Sequence, residues 1–153
     1  MDATLKIRAY AHLLRECGIT FVTTPRAAKR LEGKFPQCLS GAPMLLPVDN
    51  TALRRNLDFW FERQEIRPIV VGEFEDFALL RAFGHSGTGI FPVPSAFKQK
   101  IQSEGSVRIV GSTEEVRCHF YAISAERKSQ HPAVVAICNA ARRGLFGGRK
   151  KAA

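Results

Sequence analysis

The sequence lacks any apolar run close to the roughly 20 residues that a membrane-spanning helix needs. Its first stretch, "MDATLKIRAYAHLL", carries an early acid, Asp2, and is not followed by a cleavage site of the signal-peptide type. These two absences argue against a membrane protein and against an exported one. They predict a protein of the cytoplasm.

Cysteine is scarce and scattered. The four cysteines form no C-x-x-C pair and stand far apart, as Cys17, Cys38, Cys118 and Cys138. This spacing matches neither a zinc motif nor a dense disulfide framework, and it predicts buried, reduced thiols. The sequence gives no sign of a cofactor, and we expect none.

Catalytic motifs are missing as well. The stretch that begins at Gly84 resembles a serine-hydrolase elbow, but the G-x-S-x-G pattern needs glycine where the chain has Thr88. None of the histidines stands in a Cys or Ser motif, and His131 precedes Pro132 at a predicted helix start, where a structural role is usual. The sequence thus argues against an enzyme, and a small enzyme is the least favoured alternative.

Positive charge is abundant. A formal net charge of +9 predicts an acidic partner, and nucleic acid is the obvious one. The basic residues are scattered, however, and their one dense cluster is the tail at 147–153, "GGRKKAA". Such a tail is typical of a flexible, solvated chain end. A basic nucleic-acid-binding module therefore stays open as an alternative function.

Short apolar runs alternate with amphipathic stretches, a pattern that predicts an α/β fold. With 153 residues and 45% hydrophobic content, the chain suits one domain or two small lobes. Strands are predicted at 19–24, 44–48, 67–74, 89–94, 106–111 and 118–124. The short loops between strands and helices predict parallel pairing through right-handed crossovers.

Three helices are predicted. The first is capped by Asp49 or Asn50, ends near Gln64, and has an apolar face of Leu53, Leu57, Trp60 and Phe61. The second begins at the acids Glu75 and Asp76, stops at Gly84, and buries Phe77, Leu80 and Phe83. The third begins near Pro132, and its inner face is Val134, Val135, Ile137, Cys138 and Ala141.

Open α/β sheets bind ligands beyond the carboxyl ends of their strands. Here those ends are residues 47–51, 73–76 and 91–94, so the rule predicts a site there. The same residues also have plain structural roles as helix caps, core side chains and strand terminators. Spacing alone does not decide between the two interpretations.

A resemblance to a known family adds to this pattern. Six segments together resemble the effector-binding domain of LysR-type transcriptional regulators: "RECGITFV", "FPQCLSGAPMLLP", "LRRNLDFWFERQEI", "VGEFEDFALLRAFG", "GIFPVPS" and "FYAISAERKSQHPAVVAICNAA". The match runs from about Arg8 to Phe146, and "GEFEDFALLRAFG" and "ERKSQHPAVVAICNAA" are its most specific parts. Within the family, the segments look most like the activators of a sodium/proton antiporter.

The resemblance implies a two-lobe fold like that of periplasmic binding proteins. Lobe II would be complete over 24–111, lobe I would be partial over 1–23 and 112–146, and 147–153 would be the tail. Two strands would cross between the lobes as a hinge. The winged helix-turn-helix of the family has no counterpart here, so DNA would be contacted only through that missing domain. The whole regulator would be a homo-oligomer, with the helix at 53–60 contributing to its interface.

The resemblance also implies an effector-binding cleft between the lobes. Its motif positions fall on Asp49, Asn50, Thr51, Glu73, Phe74, Glu75, Asp76, Phe91 and Pro94. Four carboxylates in this set offer hard oxygen ligands, which suit a cation better than an organic acid. The expected partner is a small effector or cation, with sodium held by Asp49 and Glu73.

Overall fold

The computed structural model describes residues 9–125 and 132–144. Within them the strands are β1 Tyr10–Thr23, β2 Pro43–Pro47, β3 Ile69–Phe74, β4 Phe91–Pro94 and β5 Arg108–Ser124. The α-helices are α1 Pro25–Ala28, α2 Ala52–Arg63, α3 Phe77–His85, α4 Lys98–Ser103 and α5 Pro132–Gly144. None of these helices is long and apolar enough to cross a membrane. An α/β architecture, as predicted, is confirmed.

The chain divides into two compact units. The larger unit is Cys17–Cys118, and the smaller unit joins Met1–Glu16 to His119–Ala153. Strands β1 and β5 each have residues in both units. The lobe boundaries implied by the family resemblance stay a prediction.

Strand pairing is mixed rather than wholly parallel. Strands β2 and β3 pair in parallel, from Pro43 opposite Ile69 to Pro47 opposite Phe74. Strand β1, however, lies between β4 and β5 and runs antiparallel to β4. The parallel pairing predicted across the strand–helix–strand segments is confirmed for β2 with β3, and Met44 forms a further parallel bridge with Ile90 just before β4. The antiparallel pairing of β1 with β4 was not predicted. Loop lengths report only on consecutive elements, whereas β1 and β4 are distant in sequence.

Strand β5 is one long strand where two were predicted. Residues 112–117, which are polar except for Val116, separate the two apolar runs in sequence and predict a break. Among these residues Thr113 and Val116 are buried, and the strand continues through them. Strand β1 is likewise longer than predicted and begins at Tyr10. Its first half was not predicted because residues 10–16 mix polar with apolar side chains and none of them is buried. Half-buried strands of this kind show weaker apolar runs.

The larger unit has two clusters of buried side chains. In the first, the rings of Phe21 and Trp60 are stacked with their centroids 5.7 Å apart, and Phe61 packs beside them. The second gathers Val22, Leu45, Leu80, Phe91, Val93, Ile101 and Val107. Neighbouring residues of β1 thus pack into different clusters, because side chains alternate along a strand.

Helix α2 confirms its predicted apolar face, since Leu57, Trp60 and Phe61 are buried and Leu53 packs against them. Trp60 is only 3% exposed. Trp60 therefore belongs to the core, and the expectation that the helix at 53–60 contributes to an oligomer interface stays a prediction.

Helices α3 and α5 bury less than predicted. In α3 only Leu80 of the three expected residues is buried, whereas Phe77 and Phe83 are 37% and 49% exposed. Helix α5 has no buried residue, and Ile137 is 66% exposed. An apolar stripe identifies the face that a helix can bury, but burial requires a partner to cover it.

Two glycines shape the region after α3. A Cβ on Gly84 would lie 2.1 Å from the ring of Phe91, so glycine is needed for α3 to approach β4. The helix ends at His85, one residue beyond the predicted stop. Gly87 has a φ of +86°, a left-handed conformation that glycine adopts without strain. This turn returns the chain to β4.

Candidate functional site

The carboxyl ends of β2 and β3 lie side by side. Pro47 is opposite Phe74, and the backbone N–H of Val48 donates to the carbonyl oxygen of Phe74 at 3.1 Å. The residues that follow, 49–51 and 75–76, therefore extend from the same edge of the sheet. We call residues 48–51 and 73–76 the polar edge. It brings together the segments after β2 and β3 that the sequence singled out.

Two residues of the polar edge cap helices. The hydroxyl of Thr51 accepts from Arg54 N at 3.2 Å at the start of α2. The carboxylate of Asp76 accepts from Ala78 N at 2.6 Å and from Leu79 N at 3.3 Å at the start of α3. The expectation that Asp49 or Asn50 caps the first helix is wrong, because Thr51 takes that role. Asp76 is occupied by its capping bonds.

Glu73 forms an ion pair with Arg54, which sequence analysis had not singled out. The same guanidinium donates to Asp58 at 3.0 Å and to the carbonyl oxygen of Pro47 at 2.8 Å. Burial acts to lower the pKa of Arg54, but its hydrogen bonds to Glu73 and Asp58 outweigh this and raise it. The one signal in the sequence was the i, i+4 spacing of Arg54 and Asp58 on a predicted helix.

Asp49 and Glu75 differ from the other acids of the edge. Both are exposed, and neither has a hydrogen bond or ion pair with another described residue. Each follows one member of the bonded pair Val48 and Phe74. The polar edge therefore presents two free carboxylates beside the paired Glu73. Carboxylate oxygens are ligands for hard cations.

The arrangement is not a complete metal centre. Across 9–125 and 132–144 there is no group of three or more His, Cys, Asp and Glu side chains placed to hold a metal ion. A cation at the polar edge would draw further oxygen ligands from backbone carbonyls or water. The assignment of sodium to Asp49 and Glu73 stays a prediction.

The two predicted cleft residues of β4, Phe91 and Pro94, are both buried. Phe91 is fully buried in the second cluster, so its place among the effector-binding residues rests on the family resemblance alone. Pro94 is buried and precedes Ser95, whose hydroxyl lies 2.8 Å from that of Thr20. Thr20 also lies 2.9 Å from Ser112 through their hydroxyl oxygens. Sequence analysis missed this hydroxyl cluster, for which the only signal was a threonine inside an apolar strand.

Comparisons with known proteins bear on the family and the fold of this chain. The profile of the LysR substrate binding domain matches residues 10–145. The transcriptional activator protein NhaR of Escherichia coli (strain K12) is 35% identical over 147 residues, which are 95% of this chain and 48% of NhaR. The chain thus spans about half the length of the curated relatives it matches.

Solved structures show the same fold. The effector domain of the transcriptional regulator AmpR of Pseudomonas aeruginosa gives a TM-score of 0.65 at 22% identity, covering 90% of this chain and 64% of that one. Vibrio fischeri DarR, solved in complex with DNA, gives a TM-score of 0.63 at 16% identity, covering 92% of this chain and 47% of that one. The fold is the periplasmic-binding-protein-like α/β fold of these domains. The chain belongs to the LysR substrate-binding domain family.

Proposed function

We propose that this chain is the effector-sensing domain of a LysR-type transcriptional regulator, and that its polar edge forms one wall of the effector cleft. The observation that carries the proposal is that the carboxyl ends of β2 and β3 lie side by side. The free carboxylates of Asp49 and Glu75 follow these ends, just before α2 and α3 begin. Ligands of open α/β sheets bind at this position. The role of NhaR as an activator supports transcription control over catalysis.

We propose sodium as the effector, and a sodium/proton antiporter gene as the target. The polar edge carries four acids, two of which have no described partner. Asp49 supplies one free carboxylate, and Glu73 supplies a second when its pair with Arg54 opens. The Glu73 side chain is about half exposed, whereas that of Arg54 is only 11% exposed, so water screens the ion pair on the glutamate side. A weakly bound ion can therefore compete with Arg54 for Glu73.

The test is the line width of the ²³Na resonance with the 153-residue chain, at constant ionic strength with potassium as the competing ion. Bound sodium broadens the line. Asp49→Asn and Glu73→Gln are expected to remove most of the excess width. Asp58→Asn is the matched control, because it removes another carboxylate bound by Arg54 that lies on α2 and outside the polar edge. Equal widths in Asp49→Asn and the wild-type chain would refute the sodium site.

The proposal places DNA recognition in a winged helix-turn-helix outside this chain, and the whole regulator in the cytoplasm. Its alternative is a basic nucleic-acid-binding module. An electrophoretic shift with promoter-length DNA distinguishes the two. We expect the 153-residue chain to leave the DNA unshifted at physiological salt. A salt-sensitive shift by this chain alone would instead favour the alternative.

The whole regulator is further proposed to be a homo-oligomer. Strand β3 pairs only with β2 among the described residues, and its side chains Ile69, Val70 and Val71 are exposed. An exposed apolar edge strand is a surface for association. Sedimentation at several concentrations tests this, with Val70→Lys expected to weaken self-association. Val135→Lys on α5 replaces a valine of nearly equal exposure and serves as the control.

A further inference from the structure

A cavity of about 450 Å³ lies in the larger unit at the amino ends of β2 and β4. It is formed by the end of β1, the segment after α1, the start of β2 and the turn before β4. Its lining includes Ala27, Arg30, Leu31, Ala42, Gly87 and Ile90. The polar edge follows the opposite end of β2, so the two features are separated by the length of that strand.

Basic side chains stand at this cavity without acidic partners. Arg30 lines it, and Arg26 and Arg30 together line an adjoining cavity of about 300 Å³ that shares Ala27 and Gly87 with the first. Neither arginine has a hydrogen bond or ion pair from its side chain to another described residue. Both arginines are exposed positive charges, so an anion bound in the adjoining cavity that they line would be attracted by both. Glu32 is the single acid in the lining of either cavity.

The remaining walls are apolar or bare backbone. Leu31, Ala42 and Ile90 supply hydrocarbon surface. A Cβ on Gly89 would lie 2.9 Å from the carbonyl oxygen of Pro43, so the turn before β4 can lie this close to β2 only with glycine there. The cavity thus combines apolar surface with guanidinium groups at one side. Its volume is within the range of about 300–1,000 Å³ that small-molecule sites occupy.

We propose that this cavity binds a small organic carboxylate. The guanidinium of Arg30, with Arg26 beside it, pairs with the carboxylate, because guanidinium and carboxylate match in geometry and charge. The apolar wall of Leu31, Ala42 and Ile90 covers the hydrocarbon part. This ligand has the opposite charge to the cation proposed at the polar edge, and it binds at a different place. The two site proposals can therefore be tested independently.

The test is a titration of the ¹⁵N-labelled chain with benzoate, followed by amide chemical shifts. We expect saturable shifts at Gly41, Gly87 and Thr88, which line the cavity. Arg30→Gln is expected to weaken binding about tenfold, the effect of losing a charge-assisted hydrogen bond. Lys29→Gln is the matched control, since it makes the same charge change at an exposed neighbour outside the lining, and it should leave affinity nearly unchanged.

A second variant tests the cavity without changing charge. Ala27→Leu fills space in both cavities and is expected to abolish the shifts. Three results would overturn the proposal: no saturable shift at millimolar benzoate, equal weakening by Lys29→Gln and Arg30→Gln, or unchanged binding in Ala27→Leu. Inorganic phosphate that binds as tightly as benzoate would overturn the organic part of the assignment. Replacing sodium by potassium should leave the benzoate titration unchanged, which separates this result from the proposed function.

Discussion

The larger and smaller units differ most in how they use apolar side chains. Every buried apolar side chain among the described residues lies between Cys17 and Val116, within the larger unit. In the smaller unit, Leu13, Tyr121, Ile123, Val135 and Ile137 are all exposed. Both clusters of buried side chains in the described part of the chain therefore lie in the unit that carries the polar edge.

Helices α2 and α5 differ in whether their apolar faces are covered. Both have an apolar stripe at helical spacing, and both were predicted to bury it. Helix α2 packs Leu57, Trp60 and Phe61 against β1 and its neighbours, whereas α5 buries nothing among the described residues. A sequence pattern thus predicts the direction of a helix face, and tertiary structure decides whether that face is covered.

The largest expected contrast is between core and surface truncations. Phe21→Ala removes a fully buried ring that contacts Phe35, Trp60 and Phe61, so we expect a loss of about 3–5 kcal/mol in the free energy of unfolding. Ile137→Ala on α5 should change it by less than about 0.5 kcal/mol. Urea denaturation measures both. A comparable loss of unfolding free energy from Ile137→Ala would show that α5 is packed, and the proposed difference between core and surface truncations would be wrong.

Thiol chemistry offers a second contrast. Burial first, and the neighbouring Cys17 second, raise the pKa of Cys118 from 9.0 to about 11. At pH 8 its thiolate fraction is then about 100-fold below that of an ordinary thiol, so alkylation should be correspondingly slow. Cys138 on α5 should react first. Mass spectrometry after timed exposure to iodoacetamide measures the order, and faster labelling of Cys118 would contradict the raised pKa of this partly buried thiol.

The same thiol makes stability depend on alkaline pH. Because folding favours the protonated form of Cys118, its contribution to stability is present below pH 9 and is lost as the pH rises towards 11. Cys118→Ala should flatten this fall in urea denaturation at pH 8, 9 and 10. If the stability of Cys118→Ala fell equally steeply with pH, the pH dependence would come from another titratable group.

Two glycines give a smaller contrast. A methyl group on Gly84 would overlap the ring of Phe91, so Gly84→Ala should destabilise the protein by about 1–3 kcal/mol. Gly144, at the end of α5, has no atom within 4 Å of an added Cβ. Gly144→Ala should leave stability unchanged or slightly raised, since alanine favours helix. Thermal unfolding compares them, and a neutral Gly84→Ala would show that α3 can shift away from β4.

The sequence predicted the elements better than their pairing. The strand–helix order from β2 to β4 follows from local apolar runs, caps and the stop near Gly84. The antiparallel contact of β1 with β4 and the continuity of β5 through 112–117 could not be predicted in this way. They depend on residues distant in sequence, which periodicity does not relate.

The candidate site was predicted in position more than in chemistry. The carboxyl-end rule and the family resemblance both pointed to 49–51 and 73–76, and the structure places these segments together. Capping of the second helix by Asp76 was predicted and is confirmed. The pairing of Glu73 with Arg54 and the capping by Thr51 were not predicted. Which acid stays free depends on side-chain geometry at the helix starts, and neighbouring acids look alike in sequence.

Hydrogen exchange with sodium in place of potassium, at equal ionic strength, tests most directly whether the polar edge senses an effector. We expect slower exchange at backbone amides 48–51 and 73–79 in the wild-type chain, and no change at 132–144 in α5. We also expect Asp49→Asn to lose the sodium effect. Unchanged exchange at the polar edge, or an equal change in α5, would contradict the assignment of effector sensing to this edge.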